Sequence, residues 1–236
     1  MERQTQRTRS IEVKFGTDSL MLIYGRLLER YGTQHWWPAE TPFEVMVGAV
    51  LTQNTAWSNV EKAIANLKAM DGGLALESLL AMPVERLAPA LRPAGYFNIK
   101  AKRLLNLCRF LQQHQGLEQL ETEQLRASLL TVHGIGPETA DDILLYAFDR
   151  PVFVIDAYTR RLFSRLGLVD GKHGYDALRE GFEAALDSES ELFNEYHALI
   201  VVHAKAYCRT RPVCGDCPLF DLCVYPTLSS VTESPR

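Results

Sequence analysis

The chain has 236 residues, 47% of them hydrophobic and 23% charged, enough for one large globular domain or two small lobes. No run of eighteen apolar residues escapes a charge or a breaker, which excludes a membrane-spanning segment, and residues 1–10 are polar with no apolar stretch behind them, so no secretory leader and a cytoplasmic location are expected. Twenty-five basic against twenty-nine acidic residues give a formal net charge of -4, which by itself argues against a polyanionic partner but says nothing of where the charges sit.

In chain order, apolar residues first recur at Leu20, Ile23, Tyr24, Leu27, Leu28 and Tyr31, the spacing of an amphipathic helix, with Asp18 or Ser19 placed to cap it. His35-Trp36-Trp37-Pro38 follows. Residues 43–51 are then apolar on almost every face apart from Glu44 and Gly48, which suits a helix buried at the centre of a bundle. That segment ends in Thr52-Gln53-Asn54-Thr55 with Trp57 beyond, so all three tryptophans lie near the ends of one element, as core or as walls of an aromatic pocket. Helical spacing returns at Val60, Ala63, Ile64 and Leu67 and again at Ala101, Leu104, Leu105, Cys108 and Leu111, where Cys108 falls on the apolar face as a core thiol. Between residues 86 and 117 stand Arg86, Arg92, Lys100, Lys102, Arg103 and Arg109 with no Asp or Glu. Phosphate neutralisation needs only such local charge.

The segment Leu130-Thr-Val-His-Gly134-Ile135-Gly136-Pro137-Glu138-Thr-Ala140 puts two glycines around an apolar residue, able to take positive φ, and a proline at the first position of the next helix. It reads either as a tight connection between helices or as a helix N-terminus whose backbone N–H groups seat a phosphate. Only residues 152–155 resemble a strand, too short to make a sheet. Asp156 comes next, at the start of a helical pattern, as a cap or as a fixed carboxylate. Arg160, Arg161 and Arg165 form a second basic face. Further helices are expected over 158–166, 175–186 and 191–207. The fold class is all-α. Cys208, Cys214, Cys217 and Cys223 follow as C-x5-C-x2-C-x5-C, able to hold a [4Fe–4S] cluster or a tetrahedral zinc. Residues 227–236 are Ser/Thr/Pro-rich, a composition that favours disorder.

The hairpin, Val154-Ile155-Asp156-Ala-Tyr-Thr-Arg-Arg161 and the cysteine run together resemble the helix-hairpin-helix DNA glycosylases of the endonuclease III superfamily over about residues 18–223. The resemblance implies a two-lobed helical enzyme that excises damaged bases from duplex DNA, with Asp156 stabilising the cationic sugar and orienting or deprotonating the attacking water. The active cleft would lie between the lobes. Bifunctional members carry a lysine at the position of Glu138, and a carboxylate forms no Schiff base, so a monofunctional enzyme is implied. Lys205 is a conceivable substitute amine. The string His35-Trp-Trp-Pro38 with Gly48-Ala-Val-Leu-Thr-Gln-Asn-Thr55 resembles the 3-methyladenine DNA glycosylase III branch, which implies a base pocket of Trp36, Trp37, Pro38, Trp57 and Glu138 and alkylated purines as substrate. Gln53 then fills the space of the flipped nucleotide, and Tyr96, in Gly95-Tyr-Phe-Asn-Ile-Lys-Ala-Lys-Arg103, wedges into the opposite strand. Asn98 caps the following helix, and Lys100 lies near the DNA backbone with Gly134, Ile135 and Gly136. The family's cysteine spacing is C-x6-C-x2-C-x5-C, one residue longer in the first gap, and the alkylpurine branch often lacks the cluster, so this chain mixes features of two branches.

The expected organisation is a central lobe over 34–150 with the hairpin, a second lobe of 1–33 plus 151–226 with the cysteine loop, and a disordered tail. The partner is damaged double-stranded DNA, bound by a monomer, with no membrane involved. The rival readings are an oxidised-pyrimidine glycosylase with abasic lyase activity and a non-catalytic DNA-binding protein.

Overall fold

A computed structural model describes residues 15–226; the tail expected to be disordered lies outside them. Among the described residues there are only helices and turns: α1 Thr17–Tyr31, α2 Pro42–Leu51, α3 Trp57–Lys68, α4 Leu76–Ala81, α5 Val84–Ala90, α6 Phe97–Gln113, α7 Thr122–Leu130, α8 Pro137–Ala147, α9 Ala157–Arg165, α10 Tyr175–Ala185 and α11 Ser190–Ala206. The fold is all-α. None of these helices is long and apolar enough to cross a membrane. The short α4 and α5 were not read from the sequence, because six or seven residues are too few to set up a clear period. The chain divides into two compact units, one Trp37–Val152 and the other drawn from both ends, 15–36 and 153–226 among the described residues.

The first unit is built on α2. Thr41 accepts a bond from the Glu44 N–H at 3.1 Å and Pro42 occupies the first turn, a strong start signal. Every residue from Glu44 to Leu51 is buried, as the all-round apolar pattern required. Lys68 at the end of α3 pairs with the buried Glu44 carboxylate at 2.9 Å. Helix α2 packs on α8, α3 and α6, and one apolar cluster runs through α2–α8 from Met46 to Val152. Cys108 belongs to that core, and burial pushes its thiol up to about 12.

In the second unit α11 packs on α1 and α9. Its core is aromatic: Phe153 stacks on Phe182 at 4.3 Å, with Phe163, Phe193 and Tyr196 edge-on around the pair. The buried Tyr196 hydroxyl donates to the Leu20 carbonyl at 2.7 Å and ties α1 to α11. Helix α1 starts two or three residues earlier than expected, with Gly16 at the N-cap, and Asp18 and Ser19 lie in its first turn.

Candidate active site and cysteine loop

The hairpin is α7, the turn 131–136 and α8. Arg126 of α7 clasps Asp141 of α8 with two bonds, Nε to Oδ1 at 2.6 Å and Nη2 to Oδ2 at 3.1 Å, both side chains buried. Gly134 has φ +100°, and a Cβ there would collide with the Arg103 side chain. Gly136 needs no such freedom: it is extended, with φ -95°, and caps α8 ahead of Pro137. Ile135 is buried in the core, and its N–H donates to the Val132 carbonyl at 3.0 Å, so neither its side chain nor its backbone donor is offered to a ligand. The remaining donors are the first-turn N–H groups of α8, which no helix satisfies internally. Glu138 is exposed in that turn.

Gln53, just past α2, is tied to this hairpin. Its amide donates to the Gly134 carbonyl at 3.0 Å and to Thr139 Oγ1 at 2.9 Å, while its carbonyl oxygen accepts from Arg103. Tyr96 is 71% exposed and stands in the left-handed region, φ 45°, at the N-cap of α6. An aromatic side chain in that conformation carries strain that the surroundings must hold. Asn98 is therefore not the cap; it lies exposed within the first turn. Lys100 is also not at the surface. It is 1% exposed and donates to the Leu51 and Ala94 carbonyls and to Thr55 Oγ1, because a buried ammonium must find acceptors inside.

The tryptophans separate. Trp37 meets Trp57 edge-to-face at 4.8 Å and Tyr146 of α8 at 4.9 Å, and its indole lies on Gly48, where a Cβ would come within 3.1 Å. The edge contact leaves no slot for a base between Trp37 and Trp57 themselves. Trp57 donates to Glu61 at 3.0 Å. Trp36 has the Lys205 ammonium 5.7 Å over its ring, and Pro38 is exposed.

Asp156 caps α9. Its Oδ1 accepts from the Thr159 N–H at 2.7 Å, and its Oδ2 lies 3.6 Å from Nε2 of the buried His197 on α11. Burial raises its carboxyl, but His197 and the Thr159 bonds outweigh that and hold it below the usual carboxylate value. The carboxylate is thus ionised, 13% exposed and fixed. His197 was missed in the sequence: it stands 41 positions away, and only the packing of α9 on α11 joins the two.

Arg160, Arg161 and Arg165 do not form an outward basic face. Arg160 donates to the His173 carbonyl and Arg161 to the Cys208 carbonyl, while Arg165 binds the Arg209 and Thr210 carbonyls and Cys208 Sγ at 3.3 Å. Their acceptors are carbonyls of the cysteine loop and of the turn before α10. All four cysteines line one cavity of about 20 Å³ with Leu162, Leu166, His203 and Tyr207. Burial first, then the charge of neighbouring cysteines, pushes the Cys217 and Cys223 thiols up. Four thiolates there repel one another unless a cationic group sits among them, and no carboxylate lines the cavity, so the donor set suits a thiolate-ligated group. Tyr31 meets His203 Nδ1 at 3.0 Å, which leaves Nε2 facing Cys217 Sγ at 3.7 Å. Among the described residues no three His, Cys, Asp or Glu side chains stand close enough to hold one metal ion.

Comparisons with known proteins agree with this geometry. Residues 47–187 match the HhH-GPD superfamily of base excision DNA repair proteins. A Methanocaldococcus jannaschii protein assigned as a DNA repair glycosylase is 50% identical over 86% of this chain and 94% of its own length. Endonuclease III of Sulfolobus acidocaldarius is 29% identical over 78% of this chain and 82% of its own. Among solved structures, the H. pylori 3-methyladenine DNA glycosylase bound to 1,N6-ethenoadenine is 30% identical with TM-score 0.66, covering 81% of this chain and 98% of that one. A non-covalent endonuclease III–DNA complex shares the fold at TM-score 0.78 and 20% identity, over 92% of this chain and 99% of that one.

Proposed function

The chain belongs to the HhH-GPD superfamily of base excision DNA repair proteins and is a DNA glycosylase, a hydrolase of N-glycosyl bonds, and from that premise we propose that it removes alkylated purines from duplex DNA by water attack and leaves the backbone uncut. The carrying observation is the aromatic group Trp37, Trp57 and Tyr146 beside the hairpin helix. A purine alkylated on a ring nitrogen is cationic, and electron-rich rings favour it over a neutral base. Its charge also makes it a good leaving group, so little acid catalysis is needed. The likeness to the H. pylori enzyme, a 3-methyladenine DNA glycosylase, supports the same substrate class. Trp36 and Pro38 keep the base-contact roles that the resemblance gives them.

In this reading Asp156, ionised and held by Thr159 and His197, stabilises the cationic sugar and orients or deprotonates the water. The first turn of α8 binds a backbone phosphate, which positions the duplex without reading its sequence. Gln53 and Tyr96 occupy the space opened when the base is extruded. Glu138 supplies a carboxylate where a lyase needs an amine. Cys208, Cys214, Cys217 and Cys223 hold a [4Fe–4S] cluster, which when bound cross-links the loop that Arg161 and Arg165 anchor.

Release of free bases from alkylated, oxidised and uracil-containing duplexes, run beside borohydride trapping on abasic DNA, tests the reading. Alkylpurine release without a trapped adduct is expected; release of oxidised pyrimidines with an adduct overturns it. Iron and acid-labile sulfide in equal amounts in the same sample are expected, and zinc in their place removes the cluster.

A further inference from the structure

The side chain that reaches furthest beyond its expected role is Lys100. Burial of an ammonium is unfavourable, and a cation in the first turn of α6 also opposes that helix's dipole. Its Nζ nevertheless lies inside the unit, 2.9 Å from the Leu51 carbonyl, 2.7 Å from the Ala94 carbonyl and 2.5 Å from Thr55 Oγ1. Thr55 Oγ1 in turn reaches the Ala94 carbonyl at 2.6 Å. These acceptors belong to two loops far apart in sequence. Leu51 and Thr55 bracket Gln53, and Ala94 stands two residues before Tyr96. Each loop contains a non-glycine residue in the left-handed region, Asn54 at φ 52° and Tyr96 at φ 45°. Asn takes that conformation readily, but an aromatic residue such as Tyr96 persists there only where its surroundings over-determine it, and the same ammonium and hydroxyl bind both loops.

We propose that Lys100 is a positioning residue that locks the Gln53 loop and the Tyr96 loop together, so that both side chains enter the duplex as one unit when the base is extruded. The inference rests on the roles proposed above for Gln53 and Tyr96. Lys100 touches no substrate atom. It keeps the two loops in register, so that insertion of one side chain brings the other.

The test uses duplexes carrying 2-aminopurine beside the target base, whose fluorescence reports extrusion, together with duplex affinity and single-turnover excision. Variants are Gln53→Ala, Tyr96→Ala and the double variant, each in the wild-type background, in Lys100→Met and in Thr55→Val. In the wild-type background the two losses should be strongly non-additive. In Lys100→Met that coupling should vanish and the extrusion equilibrium should fall about tenfold or more, with duplex affinity nearly unchanged and helical content retained. Thr55→Val, which removes only the hydroxyl link, should weaken the coupling in part, and it serves where Lys100→Met does not fold. Coupling that survives both variants overturns the positioning role. Gln53→Ala and Tyr96→Ala without effect on extrusion overturn the roles assigned to those side chains instead, so the two failures are distinguishable.

Discussion

The two units solve the same problem, holding their candidate functional groups in place, by different means. The hairpin unit encloses one continuous apolar cluster and buries charge at few points, chiefly Lys100, Glu44 and the Arg126–Asp141 clasp. Its candidate functional groups stand on strained loops that those points hold. The Asp156 unit has an aromatic core, and Arg160, Arg161 and Arg165 reach loop carbonyls, while Arg26 and Arg179 pair with Asp221 and Glu183. The difference teaches that a run of basic residues is ambiguous: Arg86, Arg92, Lys102 and Arg109 are exposed, whereas Arg161 and Arg165 are half-buried anchors of the cysteine loop.

The largest expected effect tests where the chemistry resides. Asp156→Asn keeps shape and removes charge, and single-turnover excision of an alkylated purine should fall by about 10²–10⁴-fold while duplex affinity holds. Normal excision by that variant would move the reaction elsewhere. Next, Asp141→Ala removes the buried carboxylate that Arg126 clasps between α7 and α8, and denaturant unfolding should show a loss of about 3–5 kcal/mol. A loss under 1 kcal/mol would mean that the apolar cluster alone holds the hairpin.

A pH series sharpens the comparison at Lys100. Burial lowers its pKa from 10.5 to about 8. Between those values the unfolded chain binds a proton that the folded chain has released, so stability rises with pH. Relative to Lys100→Met, the wild type should gain up to the order of 3 kcal/mol from pH 8 to 10.5 and show no pH-dependent difference below that window; a flat difference throughout would place the ammonium in water. The smallest effect belongs to the other unit. Arg165→Met removes bonds to Arg209, Thr210 and Cys208 that are partly exposed, and should cost about 1–2 kcal/mol. Its readout is faster proteolysis within 208–223 and lower iron content, with α2–α8 unaffected.

Much of the scaffold is legible in the sequence. The spacing at Leu20–Tyr31, the all-round apolar run ending at Leu51, the glycine at 134, the proline at 137 and the aspartate at a helix start each act through neighbours within one or two turns. Cys108 was legible as core for the same reason. The site was legible in its residue types and less so in its partners. Asn favours a helix N-cap and its place in the sequence points to Asn98, but Tyr96 holds the cap under strain imposed by the loop.

What the sequence by itself determined is most of the longer helices, because period, caps and glycine freedom are local, while α4 and α5 are too short to carry a period. What only the tertiary structure decided is where each charge and each ring ends: Lys100 inside, Ile135 in the core, Arg165 on the cysteine loop, Trp37 against Tyr146, His197 beside Asp156. A long polar or aromatic side chain chooses among acceptors and faces that chain folding gathers from distant positions. That choice follows the cost of leaving a buried group unpaired, which no spacing along the chain records.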